Sequence, residues 1–141
     1  MNLVFLFILV LIVSAMFGGG TSGLQKSTTL VLDPNGEIVE QYSGSPADVA
    51  LSKALGEEVP ETQLRDVLTV LKEAAKDDNI TQVLLKLDGL SGAGVSTLRE
   101  VGRAIDEFQN SGKKVIAYGE YMDQAAYYLA AHADEIYIHP D

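Results

Sequence analysis

The chain has 141 residues, ten basic and twenty acidic, for a net charge of −10. That length holds one domain plus an attachment around a modest core, and the acidic balance argues against nucleic acid or an anionic membrane surface as a partner. Cysteine is absent, which excludes a disulfide framework, a thiolate zinc site and a cysteine nucleophile, and leaves the compartment open.

No charged side chain occurs in the first 25 residues. Leu3 to Phe17 is almost unbroken Leu, Val, Ile and Phe, followed by Gly18-Gly-Gly-Thr-Ser-Gly23. With the glycines the run reaches about twenty residues, the length that spans a bilayer. The reading is a transmembrane anchor and Gly-rich tether over residues 1–23, with Gly, Ser and Thr continuing to Ser27. A cleaved signal peptide is the rival, although Ser14-Ala15-Met16 is a poor small-x-small cleavage site. The missing basic leader raises the expectation of an N-terminus upstream of Met1. Lys26 is the only nearby basic residue, so loop charge does not orient the anchor.

Beyond the tether, Thr28–Asp33 reads as a strand, Pro34-Asn35-Gly36 as a turn, and Ile38-Val39 as resumed extended chain. Residues 40–60 lack a period and read as a loop with at most one helical turn. From Glu61 the pattern is helical: Leu64, Val67, Leu68 and Leu71 share a face that Ala74 and Ala75 extend. Ile80–Asp88 has the continuous apolar centre of a parallel strand buried on both faces. A loop at Gly89–Gly94 leads to a second amphipathic helix marked by Val95, Leu98, Val101, Ile105 and Phe108, with Gly112 as a left-handed stop. Val115–Tyr118 predicts a strand, Gln124–Ala133 a helix and Ile136–Ile138 a final strand. Alternating strands and helices specify an α/β domain over residues 24–141, with one parallel sheet and right-handed crossovers. The last strand is expected to leave an edge that further chain or another subunit completes.

Open parallel sheets bind ligands beyond the carboxyl ends of their strands, which selects the loops Asp88–Gly94 and Gly119–Gln124. Gly92-Ala93-Gly94 is either an anion-accepting backbone nest or a connection that needs glycine for its angles. Neither G-x-G-x-x-G nor a P-loop is present. Glu120 and Asp123 are a candidate acid–base pair or solvated loop acids. His132 and His139 lack the neighbouring ligands a metal needs, and His139 reads as a strand-end cap. Tyr127 and Tyr128 are expected to pack on the sheet. Lys113 and Lys114 are expected in solvent, where nothing lowers a lysine pKa for catalysis. No residue is assigned to catalysis, a cofactor or a metal.

Several stretches in fixed order resemble the SppA (protease IV) family of signal peptide peptidases, in its long two-repeat form. They are the apolar N-terminal run, Ala74–Thr81, Leu84–Asp88, Ile105–Lys113, Val115–Glu120, Tyr127–Ala130 and Ala133–Ile136. The resemblance covers nearly the whole chain and implies a ClpP/crotonase-like repeat behind a single-pass anchor in the cytoplasmic membrane, facing the periplasm. It implies a serine–lysine dyad that degrades cleaved signal peptides without histidine, metal or cofactor. Hydrophobic peptides would be substrates, membrane lipid would contact residues 1–23, and the protein would be a homo-oligomer. In this family the first repeat supplies the lysine and the second the serine, which lies in a Ser-Gly-Gly-Tyr-like stretch. Matching that stretch to Gln124-Ala-Ala-Tyr127 sets Gln124 at the serine position. The chain then corresponds to a first repeat, truncated before its lysine, and without a complete active site. Gly92–Gly94 matches the oxyanion region only loosely.

An alternative is a membrane-tethered, non-catalytic module resembling STAS regulatory domains. It would need a phosphorylatable serine at the helix start, with Ser91 and Ser96 as candidates. A third, an acyl-CoA enzyme of crotonase type, fits poorly with an anchor.

Overall fold

The computed structural model describes residues 9–10, 27–57 and 60–139. The expected anchor over residues 1–23 lies outside these except for Leu9 and Val10. Among the described residues no helix is long and apolar enough to cross a membrane. From Ser27 onward the elements are β1 (Thr28–Leu32), β2 (Gly36–Val39), α1 (Pro46–Leu55), β3 (Glu61–Gln63), α2 (Leu64–Lys76), β4 (Ile80–Lys86), β5 (Leu90–Ala93), α3 (Val95–Asn110), β6 (Lys114–Gly119), α4 (Gln124–Ala130) and β7 (Glu135–Ile138).

The strands form two sheets rather than the single one expected. One has the order β1-β4-β6-β7 and the other β3-β2-β5, and every pairing in both is parallel. Two segments pass from the first sheet to the second side by side: β1 continues into β2 through Asp33–Asn35, and β4 into β5 through Leu87–Gly89. The Gly36 amide donates to Gly89 O at 2.8 Å and ties the two corners together. Sequence reading misses the second sheet because its strands have only three or four residues. That is too short for a period of two to stand out. Glu61–Gln63 is therefore a strand and not the start of a helix, and Leu90–Ala93 is a strand and not a loop.

The core lies on one face of the four-stranded sheet. Side chains alternate along a strand, so Val83 and Leu85 of β4 and Val115 and Ala117 of β6 share that face and are buried. Against them α2 buries Leu64, Val67, Leu71 and Ala74. α3 adds Val101, Ile105 and Phe108, and α4 adds Ala126, Leu129 and Ala130 to the same cluster. The α2 and α3 sets follow the helical spacing read from the sequence. The opposite face carries Leu84, Ile116 and Tyr118, all half-buried.

Residues 40–60 contain a ten-residue helix, α1, in place of the expected loop. Its start is a capping box: Ser45 Oγ accepts from the Asp48 amide at 3.2 Å, and the Asp48 carboxylate accepts from the Ser45 amide at 3.1 Å. Pro46 follows at the first helical position, and Gly56 ends the helix at φ 72°. Lys113 also departs from expectation. Instead of lying in solvent, its ammonium donates to Ala74 O at 2.7 Å and Asp77 O at 2.6 Å. It thereby satisfies carbonyls at the negative end of α2.

Gly36 is the tightest point of the corner. Its φ is +77°, and a Cβ there would lie 1.6 Å from Pro60 O. Gly36→Ala is expected to cost more than about 2 kcal/mol from the left-handed backbone and the clash with a carbonyl. The reading is the urea midpoint at unchanged slope; a midpoint equal to the parent's would contradict this close approach.

Candidate functional site

Parallel pairing gathers the ends of β4 and β6 at one edge of the sheet, with Lys86 opposite Tyr118. The Leu87 amide donates to Tyr118 O at 3.0 Å, and the next residue, Asp88, leaves the ladder. Its carboxylate accepts from the Glu120 amide at 2.6 Å, which fastens the loop after β6 to the loop after β4. A side chain at Gly119 would crowd Asp88 Oδ1 at 3.4 Å and Met122 at 3.2 Å. Glycine there lets the two loops approach.

The second loop runs through exposed Tyr121 to Asp123, which caps α4: its carboxylate accepts from the Ala126 amide at 2.8 Å. Asp123 is thus occupied in holding the helix, and Glu120 meets Asp88 through its backbone amide while remaining exposed. No hydrogen bond or ion pair among the described residues joins the two side chains. Gln124, the first residue of α4, is exposed at the same edge. It stands where the turn from β6 into α4 presents a side chain, and an amide there is not a nucleophile.

Gly92 and Ala93 pair in register with Glu37 and Ile38 of β2. This stretch is held as ladder backbone and does not form the free loop that a backbone nest would use. Gly94 caps α3 without a side chain, and its carbonyl accepts from the Leu98 amide at 2.9 Å. Ser91 is exposed on β5, and Ser96 is exposed in the first turn of α3.

Tyr127 and Tyr128 do not pack on the sheet. They are exposed, because α4 buries Ala126, Leu129 and Ala130 instead. Tyr128 meets the His132 ring edge-on, with centroids 5.2 Å apart. His132 Nδ1 lies 2.8 Å from Asp106 Oδ1, and its ring covers Gly102 of α3, where a Cβ would lie 2.6 Å from Nε2. His139 donates its backbone amide to Gly119 O at 3.2 Å, prolonging the β6–β7 pairing. Among the described residues no group of three His, Cys, Asp or Glu side chains could hold a metal.

Charge is organised most clearly at the opposite edge, where β6 and β7 begin. Asp134 donates its amide to Val115 O and accepts from the Val115 amide, each at 2.8 Å. That backbone hydrogen bond holds the Asp134 carboxyl below its ordinary range. Beside it, Lys114 pairs with Glu135, and Tyr137 donates to the same carboxylate at 2.7 Å. The Lys114 hydrogen bond lowers the Glu135 pKa.

The chain is 34% identical to Protease 4 of Salmonella typhi over 147 aligned positions, which cover 99% of this chain and 24% of that protein. It is 38% identical to Protease 4 of Haemophilus influenzae over 149 positions, covering 98% of this chain and 23% of that one. No family model matches the chain. Over nearly its whole length the chain is therefore similar to one segment of the Protease 4 (SppA) proteins. It spans about a quarter of the length of these relatives. The α/β architecture with parallel sheets is compatible with a ClpP/crotonase-like fold.

Stability at this amino edge should depend on acid. Because the Asp134 pKa is depressed in the folded state, its contribution is present above the ordinary value of 3.8 and is lost as pH falls through the folded pKa. Asp134→Asn is therefore expected to be less stable than the parent at pH 7, with the gap closing below about pH 4. A gap that stays constant in denaturant titrations from pH 7 to pH 3 would show that the Asp134 charge contributes nothing.

Proposed function

We propose that the chain is the amino-terminal part of a membrane-anchored serine peptidase that degrades cleaved signal peptides. In this reading it forms part of a first ClpP/crotonase-like repeat and carries no complete active site. The observation that carries the proposal is the edge where β6 turns into α4. Gln124 stands there as the exposed first residue of α4, and the family resemblance matches it to the serine of catalytic repeats. A Ser–Lys pair works because a lysine base removes the hydroxyl proton and the alkoxide attacks the carbonyl carbon. A carboxamide supplies neither role. Asp123 and Asp88, the nearby acids, are engaged in holding α4 and the Glu120 loop.

The relatives' name, Protease 4, supports the peptidase class, and the near-complete coverage of this chain supports carrying it over. The serine–lysine mechanism, the anchor in residues 1–23, the periplasmic side and the hydrophobic peptide substrates come from the family resemblance. The segment's part in the whole would be to hold the assembly at the membrane and wall the cavity that receives the peptide.

The purified chain is expected to hydrolyse neither peptide nor ester substrates, and a serine-directed fluorophosphonate should leave its intact mass unchanged. Turnover abolished by that reagent would overturn the assignment of an incomplete site. On the genomic side, the reading expects an in-frame continuation past Asp141 that carries a lysine and then a Ser-Gly-Gly-Tyr-like stretch. A stop codon followed by an unrelated gene would sink the peptidase reading.

A further inference from the structure

Helix α1 buries none of its ten residues. Leu51 is 60% exposed and Leu55 63%, and Ala47, Ala50 and Ala54 are exposed as well. At 3.6 residues per turn these five fall in one arc of about 140°, an apolar stripe of core-facing width. Its borders carry opposite charges, Asp48 on one side and Lys53 on the other. The capping box and Gly56 fix where the helix starts and stops. Even so, a helix of this length is below the ~12–15 residues at which isolated helices become even marginally stable in water. The stripe is a face that needs cover.

The same chain presents a groove that fits it. Between α2 and α3 lies a cavity of about 400 Å³ with Leu68, Ala75 and Ala104 along its apolar floor. The α2 lip is basic, with Lys72 and Lys76, and the α3 lip carries Glu100 and Glu107, with Arg103 between them. Lys72, Glu100, Arg103 and Glu107 have no ion-pair partner among the described residues. Laid in the groove, the stripe would face the floor, Asp48 would face Lys72 and Lys76, and Lys53 would face Glu100 and Glu107. Lengths agree too, since ten helical residues cover about 15 Å and the thirteen of α2 about 20 Å.

We propose that α1 of one copy docks in the α2–α3 groove of a second copy of this chain. The charge complementarity between stripe borders and groove lips selects this occupant over a lipid surface. A helix built for an anionic membrane carries several basic residues on its polar face; α1 has Lys53 alone, in a chain of net charge −10. The contact pairs two different surfaces, so it is heterologous and propagates around a ring or along a filament.

The absence of cysteine makes the test clean. Leu51→Cys and Ala104→Cys are made as separate single-cysteine variants of the full chain, and Leu51→Cys changes a side chain that is 60% exposed. Mixed under mild oxidation, they should give a reducible species of twice the 15.1 kDa chain mass. The yield should exceed several-fold that of Leu51→Cys mixed with a Tyr121→Cys control. Asp48→Lys in the first partner should lower the yield, and Lys72→Asp with Lys76→Asp in the second should restore it. Equal yields with the groove and control partners would overturn the proposal. So would an intrachain disulfide when both cysteines share one chain at high dilution. Protection of Leu51→Cys from thiol reagents only on adding phosphatidylcholine vesicles would assign the stripe to lipid and overturn it as well.

Discussion

Pairing in parallel on both sides of β4 is the constraint from which the rest of this structure follows. A strand bonded in parallel to β1 and β6 cannot be reached by a tight turn, so each connection must cross back over the sheet. Two of the crossovers run through α2 and α3, whose buried faces then cover one face of the sheet. The same rule sends the ends of β4 and β6 to one edge. There the Asp88 carboxylate, holding the Glu120 amide at 2.6 Å, turns two neighbouring loop starts into one surface. At the other end, Asp134 clamps the start of β6. Two carboxylates accepting backbone amides thus fix the central strands at both edges, and neither is free for acid–base work.

How much of this the sequence discloses depends on element length and burial. β4, α2 and α3 bury enough side chains for the apolar period to identify them. Asp77-Asp78-Asn79 and Gly112 mark the helix ends as expected, with Gly112 at φ 87°. The second sheet is not legible, since three or four residues are too few for a pattern. Its existence rests on register with β2, which is a tertiary fact. Helix α1 escapes periodicity for a different reason: it buries none of its residues, and short side chains make up most of its stripe. The signal that could have found it is the capping box Ser45-Pro46-Ala47-Asp48 followed by Gly56, which marks both ends without reference to burial.

At the site, the residue types were legible and their roles were not. Asp123 and Glu120 look like an acid pair in sequence, three residues apart. Folding gives one to a helix cap and uses only the backbone of the other. Gly92–Gly94 looks like a loop, but Gly92 and Ala93 are ladder and Gly94 caps a helix. Lys113 looks solvated, but its long side chain reaches 39 residues back along the sequence to close α2. Gln124 is the exposed first residue of α4, at the turn from a buried strand into a capped helix.

Everything said of that edge depends on Asp88 joining the two loops into one surface. Amide hydrogen exchange at Glu120 measures that join. The Glu120 amide should exchange slowly in the parent chain. In Asp88→Ala it should speed up at least tenfold, while Val115 and Ala117 in the body of β6 keep their protection. Fast exchange at Glu120 in the parent, or exchange indifferent to Asp88→Ala, would contradict the claim that this carboxylate builds the edge.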